Sequence, residues 1–297
     1  MKGGAFSDYH PLVNFIFFAL VIICAMFFLH PLALAVGLLC SFTYSLYLGG
    51  KKSLRFNLLY LLPLMLFAAL LNPAFNHRGV TILRYFPNGN PLTLESICFG
   101  LAAAVMLVTV ICWFSCYNYV MSSDKFIYLF GRIIPGLSLI LSMVLRLVPR
   151  FCYQARQIAD GQKALGRDIG AGGLPCRIKN GLKIVSALIS ISLEEAIDTA
   201  DSMKSRGYGL PGRTAFSIYK WQKRDSIAFT AMAVLGVYII IGALSGAFTY
   251  KYFPGLQVAQ YGFYTCSVWA AYFLLCIIPL VIELAEEKKW RAIQSKI

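Results

Sequence analysis

Hydrophobic residues along this chain gather into six long runs, at about 12–29, 32–48, 56–71, 97–114, 227–248 and 261–282. A helix rises about 1.5 Å per residue, so roughly 17–25 apolar residues cross a bilayer core. Each run is therefore predicted as a spanning helix, with the second and third at the lower limit of length. Aromatic residues mark several ends: Tyr44 and Tyr47, Trp113 and Tyr117, Tyr250 and Tyr252, Tyr261 and Tyr264. Rings with an apolar body and a polar tip favour the membrane–water boundary.

Two further apolar runs are read differently. Residues 133–149 carry Pro135 near one end and Arg146 near the other, and the run from Leu182 to Leu193 is too short to span. If the first of these crossed, seven basic residues from Arg150 to Lys183 would lie outside. Both are predicted as amphipathic or interfacial helices, and eight spans is the alternative topology.

The segment between the fourth and fifth spans shows helix punctuation. Ser122, Ser123 and Asp124 can cap a helix starting at Lys125, running to Pro149 with a kink at Pro135. A second helix is predicted from about Arg150 to Leu165, ending at Gly166. After a loop containing Gly170, Gly172, Gly173 and Pro175, a third runs from about Cys176 to Arg206 and stops at Gly207. Glu194, Asp198 and Asp201 share a face of that helix, available to water or to the basic second helix. Ser192, Ala196 and Ala200 recur every four residues and could allow close crossing with it.

Composition supports a bilayer as solvent. The 297 residues are 59% hydrophobic and 13% charged, against about 25% charged in a typical soluble domain. No cleavable signal peptide is expected, because the first run lacks a small-residue cleavage site. The nine cysteines include no C-x-x-C pair and suggest neither a disulfide framework nor a zinc site.

The net charge of +14 is concentrated: residues 124–225 hold 16 of the 27 Lys and Arg against 8 acids. Basic charge between apolar runs marks cytoplasmic segments rather than a nucleic-acid surface. Residues 1–121 are accordingly expected to form four spans with the N-terminus inside. Residues 122–225 form a central cytoplasmic region, and 226–297 form two spans with a basic tail. Lys51, Lys52, Arg55, Lys288, Lys289, Arg291 and Lys296 then fall inside, while Arg78 and Arg84 remain in an external loop. The expected fold class is an all-α polytopic membrane protein.

Candidate chemistry is sparse. Gly161–Asp168 imitates a phosphate-binding loop, but Arg167 and Asp168 stand where Lys and a hydroxyl are needed. Glu194 and Glu195 lack nearby histidines for a metalloprotease site, since His10, His30 and His77 are far away in sequence. No catalytic residue, metal ligand or cofactor site is expected, and the chain is read as no enzyme. Acids and bases are missing from the depth of the predicted spans, Arg146 apart, which argues against a stand-alone ion-coupled permease, the alternative reading.

What stands out is a matched pair of helix ends, Ala164-Leu165-Gly166-Arg167 and Ser205-Arg206-Gly207. A basic residue near a helix C-terminus complements the dipole by about 0.3–1 kcal/mol. Two such tips on one cytoplasmic segment read as a docking surface, because an arginine there can pair bidentately with a partner's carboxylate.

Ser205-Arg206-Gly207, within Ala200–Gly209, resembles the second arginine motif of the transmembrane T component of energy-coupling factor transporters. The run Ser138–Arg150 and His10-Pro11-Leu12-Val13-Asn14-Phe15 are similar to that family as well. The resemblance implies a multi-pass protein of a prokaryotic cell membrane. It implies a bracket that joins two cytoplasmic ABC ATPase subunits to a small membrane-embedded substrate-binding (S) subunit, for vitamin or metal-ion uptake. The tips would dock in the ATPases. This chain departs from the family at its first motif, commonly Ala-Arg-Gly: Leu165 holds the middle position and arginine follows at Arg167.

Overall fold

The computed structural model describes residues 4–85, 91–131, 134–167, 170, 173–208, 210, 219–255, 257–258 and 262–294. Asp168, Gly172, Gly209, Tyr261 and Lys296, named above, lie outside the described residues. Among the described residues the chain is all-α apart from two short antiparallel ribbons, and it divides into two units, Met1–Lys125 with Tyr219–Ile297, and Phe126–Ile218.

In the first unit, helices coincide with the six apolar runs. They are α1 (Pro11–Phe27), α2 (Pro31–Phe56), α3 (Leu62–Phe75), α4 (Leu94–Val120), α8 (Lys223–Leu244) and α9 (Phe263–Gln294). Ribbon β1–β2 (Ile82–Tyr85 with Pro91–Thr93) joins α3 to α4, and β3–β4 (Tyr250–Lys251 with Gln257–Val258) joins α8 to α9. Residues Pro31–Phe75 are nearly unbroken helix, 45 residues long. That is about 65 Å at 1.5 Å per residue, twice a bilayer core. Gly50 divides it: φ of 53° there takes the left-handed region that only glycine enters freely, and a π-helical turn follows at Asn57–Leu61.

α4 packs against α1, α2 and α3, while α9 packs against α2 and α8. Their shared core is aromatic. Phe6, Phe17, Phe18, Tyr44 and Trp113 are fully buried, and Trp113 meets Phe17 edge-on at 5.9 Å. The outward faces carry exposed Leu58, Leu66, Phe67, Leu70 and Phe75, as lipid-facing helices do.

The segment from Gly4 to His10 is clasped by charged residues distant in sequence. Glu283 of α9 accepts hydrogen bonds from the backbone N–H of Ala5 and Phe6, at 2.8 and 3.2 Å. Lys125 donates to the Ser7 carbonyl, to Ser7 Oγ at 2.8 Å and to the Val120 carbonyl at 2.9 Å. Asp225 accepts from the backbone N–H of His10 at 3.2 Å while capping α8 through Gln222. Arg224 donates to the Asp8 carbonyl at 2.9 Å and lies over the Tyr9 ring. Lys125 and Tyr219 are the residues at which the chain leaves the first unit and returns to it.

The second unit holds two long helices, α6 (Pro135–Ala164) and α7 (Leu174–Ser205), preceded by α5 (Ser123–Gly131). The predicted break at Pro149 does not occur. Pro135 instead occupies the first turn of α6, where a missing N–H costs nothing, and the helix continues through Pro149 to Ala164. Pro149 and Leu145, whose carbonyl loses its partner, are both exposed, so water can take that carbonyl. The face of α7 turned inward also differs from expectation. It carries Asn180, Ile184, Leu188, Ser192 and Glu195, whereas Ala196, Ala200, Glu194, Asp198 and Asp201 are exposed. Of the small-residue series only Ser192 is partly covered.

Candidate docking surface: two capped helix tips

α6 and α7 lie antiparallel. Arg150 Nη2 meets Glu195 Oε1 at 2.6 Å, and Gln154 Nε2 donates to the same oxygen at 2.8 Å. Further along, Leu139, Ser142, Met143 and Arg146 of α6 line a cavity with Met203, Arg206 and Tyr208 from the end of α7. The start of α6 is thus beside the end of α7. The 30-residue α6 is about 45 Å long, so the Gly166 and Gly207 tips stand at opposite ends of the hairpin. The Arg150–Glu195 pair is partly exposed and contributes register more than stability.

Both tips close by the same backbone hydrogen bonds. At the end of α6, Arg167 N–H donates to the Gln162 carbonyl at 2.9 Å and Gly166 N–H to Lys163 at 3.0 Å. At the end of α7, Tyr208 N–H donates to Met203 at 3.0 Å and Gly207 N–H to Lys204 at 3.0 Å. These are the paired bonds of a Schellman closure, and they require a left-handed residue after the cap. Gly166 and Gly207 supply it, with φ of 73° and 74°.

The caps themselves are Leu165 (φ −85°, ψ 12°) and Arg206 (φ −81°, ψ 7°). Ala164 therefore corresponds to Ser205, Leu165 to Arg206, Gly166 to Gly207 and Arg167 to Tyr208. Leu165 is 70% exposed, and Ala164, Arg167, Ser205 and Arg206 are exposed as well. The seven residues singled out from sequence fall into two groups at two separate tips. Arg167 is not the positional counterpart of Arg206; Leu165 is.

Arg146 was not among the candidates, although it is the one charged residue in the apolar run 133–149. Among the described residues no group of three or more His, Cys, Asp and Glu side chains is disposed to hold a metal ion.

The fold and its tips define the class: an all-α, multi-pass membrane protein carrying an antiparallel two-helix hairpin with exposed, glycine-closed ends. The chain belongs to the CbiQ family, described as cobalt transport protein, whose family model matches residues 7–217, a stretch that includes both tips. It is similar to the energy-coupling factor transporter transmembrane protein EcfT of Lactococcus lactis subsp. cremoris, 38% identical over 106 residues, 35% of this chain and 40% of that one. It also resembles EcfT of Lactobacillus helveticus, 37% identical over 100 residues (33% and 36%), and of Staphylococcus aureus, 31% over 111 residues (37% and 41%). The matches span about 40% of the length of these curated relatives. The chain is EcfT-like, a multi-pass protein of a prokaryotic cell membrane.

Proposed function

We propose that this chain is the coupling scaffold of an energy-coupling factor importer. Two cytoplasmic ATPase subunits dock on the tips at Leu165 and Arg206, and a small membrane-embedded subunit carries the substrate, a vitamin or a metal ion. Residues 122–225 face the cytoplasm in this reading, as does the N-terminus. The hairpin of α6 and α7 passes ATP-driven movement to the substrate-binding subunit, and hydrolysis belongs to the partners.

The observation that carries the reading is the pair of identically closed tips with their caps exposed. A Schellman closure fixes the cap residue's direction, so a side chain at that position is presented to a partner with little further loss of backbone freedom. Arg206 can then pair bidentately with a carboxylate, while Leu165 fits an apolar recess.

The test is co-purification from membranes with tagged wild type and with Arg206→Glu. Two ATPase subunits and a small membrane protein retained by the wild type, with the ATPases lost from the variant, is the expected result. A wild-type chain that purifies alone and transports by itself overturns the reading in favour of a stand-alone permease.

A further inference from the structure

The cavity at the α7 tip is not built by α7 alone. Arg146 of α6 lines it together with Arg206, and the cavity measures about 320 Å³. Ser142 and Tyr208 bring hydroxyl groups to the same walls, and Met143 and Met203 bring apolar surface. Among the described residues that line it, none is acidic. Arg146 forms no hydrogen bond or ion pair among the described residues.

Two guanidinium groups around one half-open cavity repel each other, since both carry a full positive charge. An anion between them reverses the sign of that interaction. Guanidinium forks match the planar geometry of a carboxylate, and hydroxyls can serve its remaining lone pairs. Methionine walls adapt to the apolar stem of an entering side chain.

We infer that Arg146 and Arg206 together form a carboxylate pocket, and that an aspartate or glutamate of the ATPase docked at the α7 tip enters it. The inference rests on the coupling reading above and adds to it a second cation, supplied by the opposite helix. Arg146 is then a residue of the docking site, although it lies 60 positions before Arg206. The pairing also gives the apolar start of α6 a reason to carry a charge. The antiparallel packing seen at Arg150–Glu195 is what brings it into reach.

The experiment measures capture of the two ATPase subunits by the full-length chain, purified in detergent with its partners, across a series of salt concentrations. Arg146→Gln keeps the polar stem on an exposed helix face and removes the charge; Arg206→Gln and the double variant complete the cycle. Each single variant is expected to weaken capture roughly tenfold, as loss of a charge-assisted contact does. Because both arginines serve one carboxylate, the double variant should fall far short of the product of the two losses. Arg146→Lys should recover part of the binding.

Capture by Arg146→Gln within twofold of wild type, with Arg206→Gln impaired, overturns the pocket and leaves the coupling reading standing. A wild-type chain that captures no ATPase removes the coupling reading itself. Unchanged capture with less phosphatidylglycerol retained on the purified Arg146→Gln chain assigns the cavity to a lipid headgroup and also overturns the inference. Helical content of each variant, read in the same samples, separates loss of docking from loss of fold.

Discussion

Leu165 and Arg206 occupy the same position of two helices that end in the same way. Each is the cap residue ahead of a left-handed glycine, and the two differ only in what they present. Leu165→Arg is expected to raise ATPase retention through salt washes, and Leu165→Asp to lower it. Arg167→Ala, one position past the glycine, should leave retention within about twofold, as exposed charges outside a fixed pairing geometry do. Quantifying ATPase bands after graded washes checks all three.

The two glycines differ in their surroundings. A Cβ on Gly166 would meet open space, whereas on Gly207 it would come within 3.0 Å of Leu210 Cδ1. Gly166→Ala should therefore lose about 1–2 kcal/mol of tip stability from left-handed strain alone. Gly207→Ala should lose about as much, because Leu210 is exposed and its methyl can swing away from the new Cβ. Limited proteolysis at each tip, compared with Asn in place of Ala, measures both losses.

Lys125 is 7% exposed and is held by oxygens of Ser7 and Val120. Burial pulls its amine below the usual lysine range, partly offset by the charge of Asp8. Lys125→Met leaves those oxygens without their donor and is expected to destabilise the first unit by about 2 kcal/mol. Thermal unfolding in detergent reports this, with the tips' ATPase binding unchanged below the transition.

His10 and His30 each cap the helix that follows, Nδ1 accepting the N–H of Leu12 and of Leu32 at 3.3 Å. That role needs a neutral ring, and burial lowers both rings below the ordinary histidine value, with Asp225 opposing the shift at His10. As pH falls below about 6.5, the unfolded chain takes up protons before the folded one. Stability is therefore complete above that pH and declines beneath it. The unfolding temperature should drop between about pH 7.5 and pH 5.5, and His10→Asn with His30→Asn, which keeps an acceptor at each cap, should flatten the change.

Much of the fold could be read from the chain because bilayer helices announce themselves by apolar length. The runs near Pro11–Phe27 and Leu94–Val120 are examples. The tips were readable too, since Gly166 and Gly207 each follow an apolar-periodic helix. What local sequence could not show depends on distant partners. Gly4–His10 has no periodicity, and Glu283, Asp225 and Lys125 gain meaning only once α4, α8 and α9 are assembled. Arg146 looked like an obstacle to a membrane span, because its neighbour Arg206 arrives only when α6 and α7 fold back. Pro149 misled for the opposite reason: a local rule about helix breaking gave way to an exposed face where water replaces the missing bond.

The clasp around the N-terminal segment sets an order on the birth of the molecule. Ala5 leaves the ribosome 278 positions before Glu283. Since chains are made from the N-terminus and long-range contacts wait for both ends, Lys125 can reach Ser7 first and Asp225 His10 next, while Ala5 and Phe6 wait for α9. A chain cut short before α9 keeps the backbone N–H groups of Ala5 and Phe6 without their carboxylate. Closing of this part of the fold is thereby tied to the making of α9, and copies that stop before it keep this edge of the clasp open.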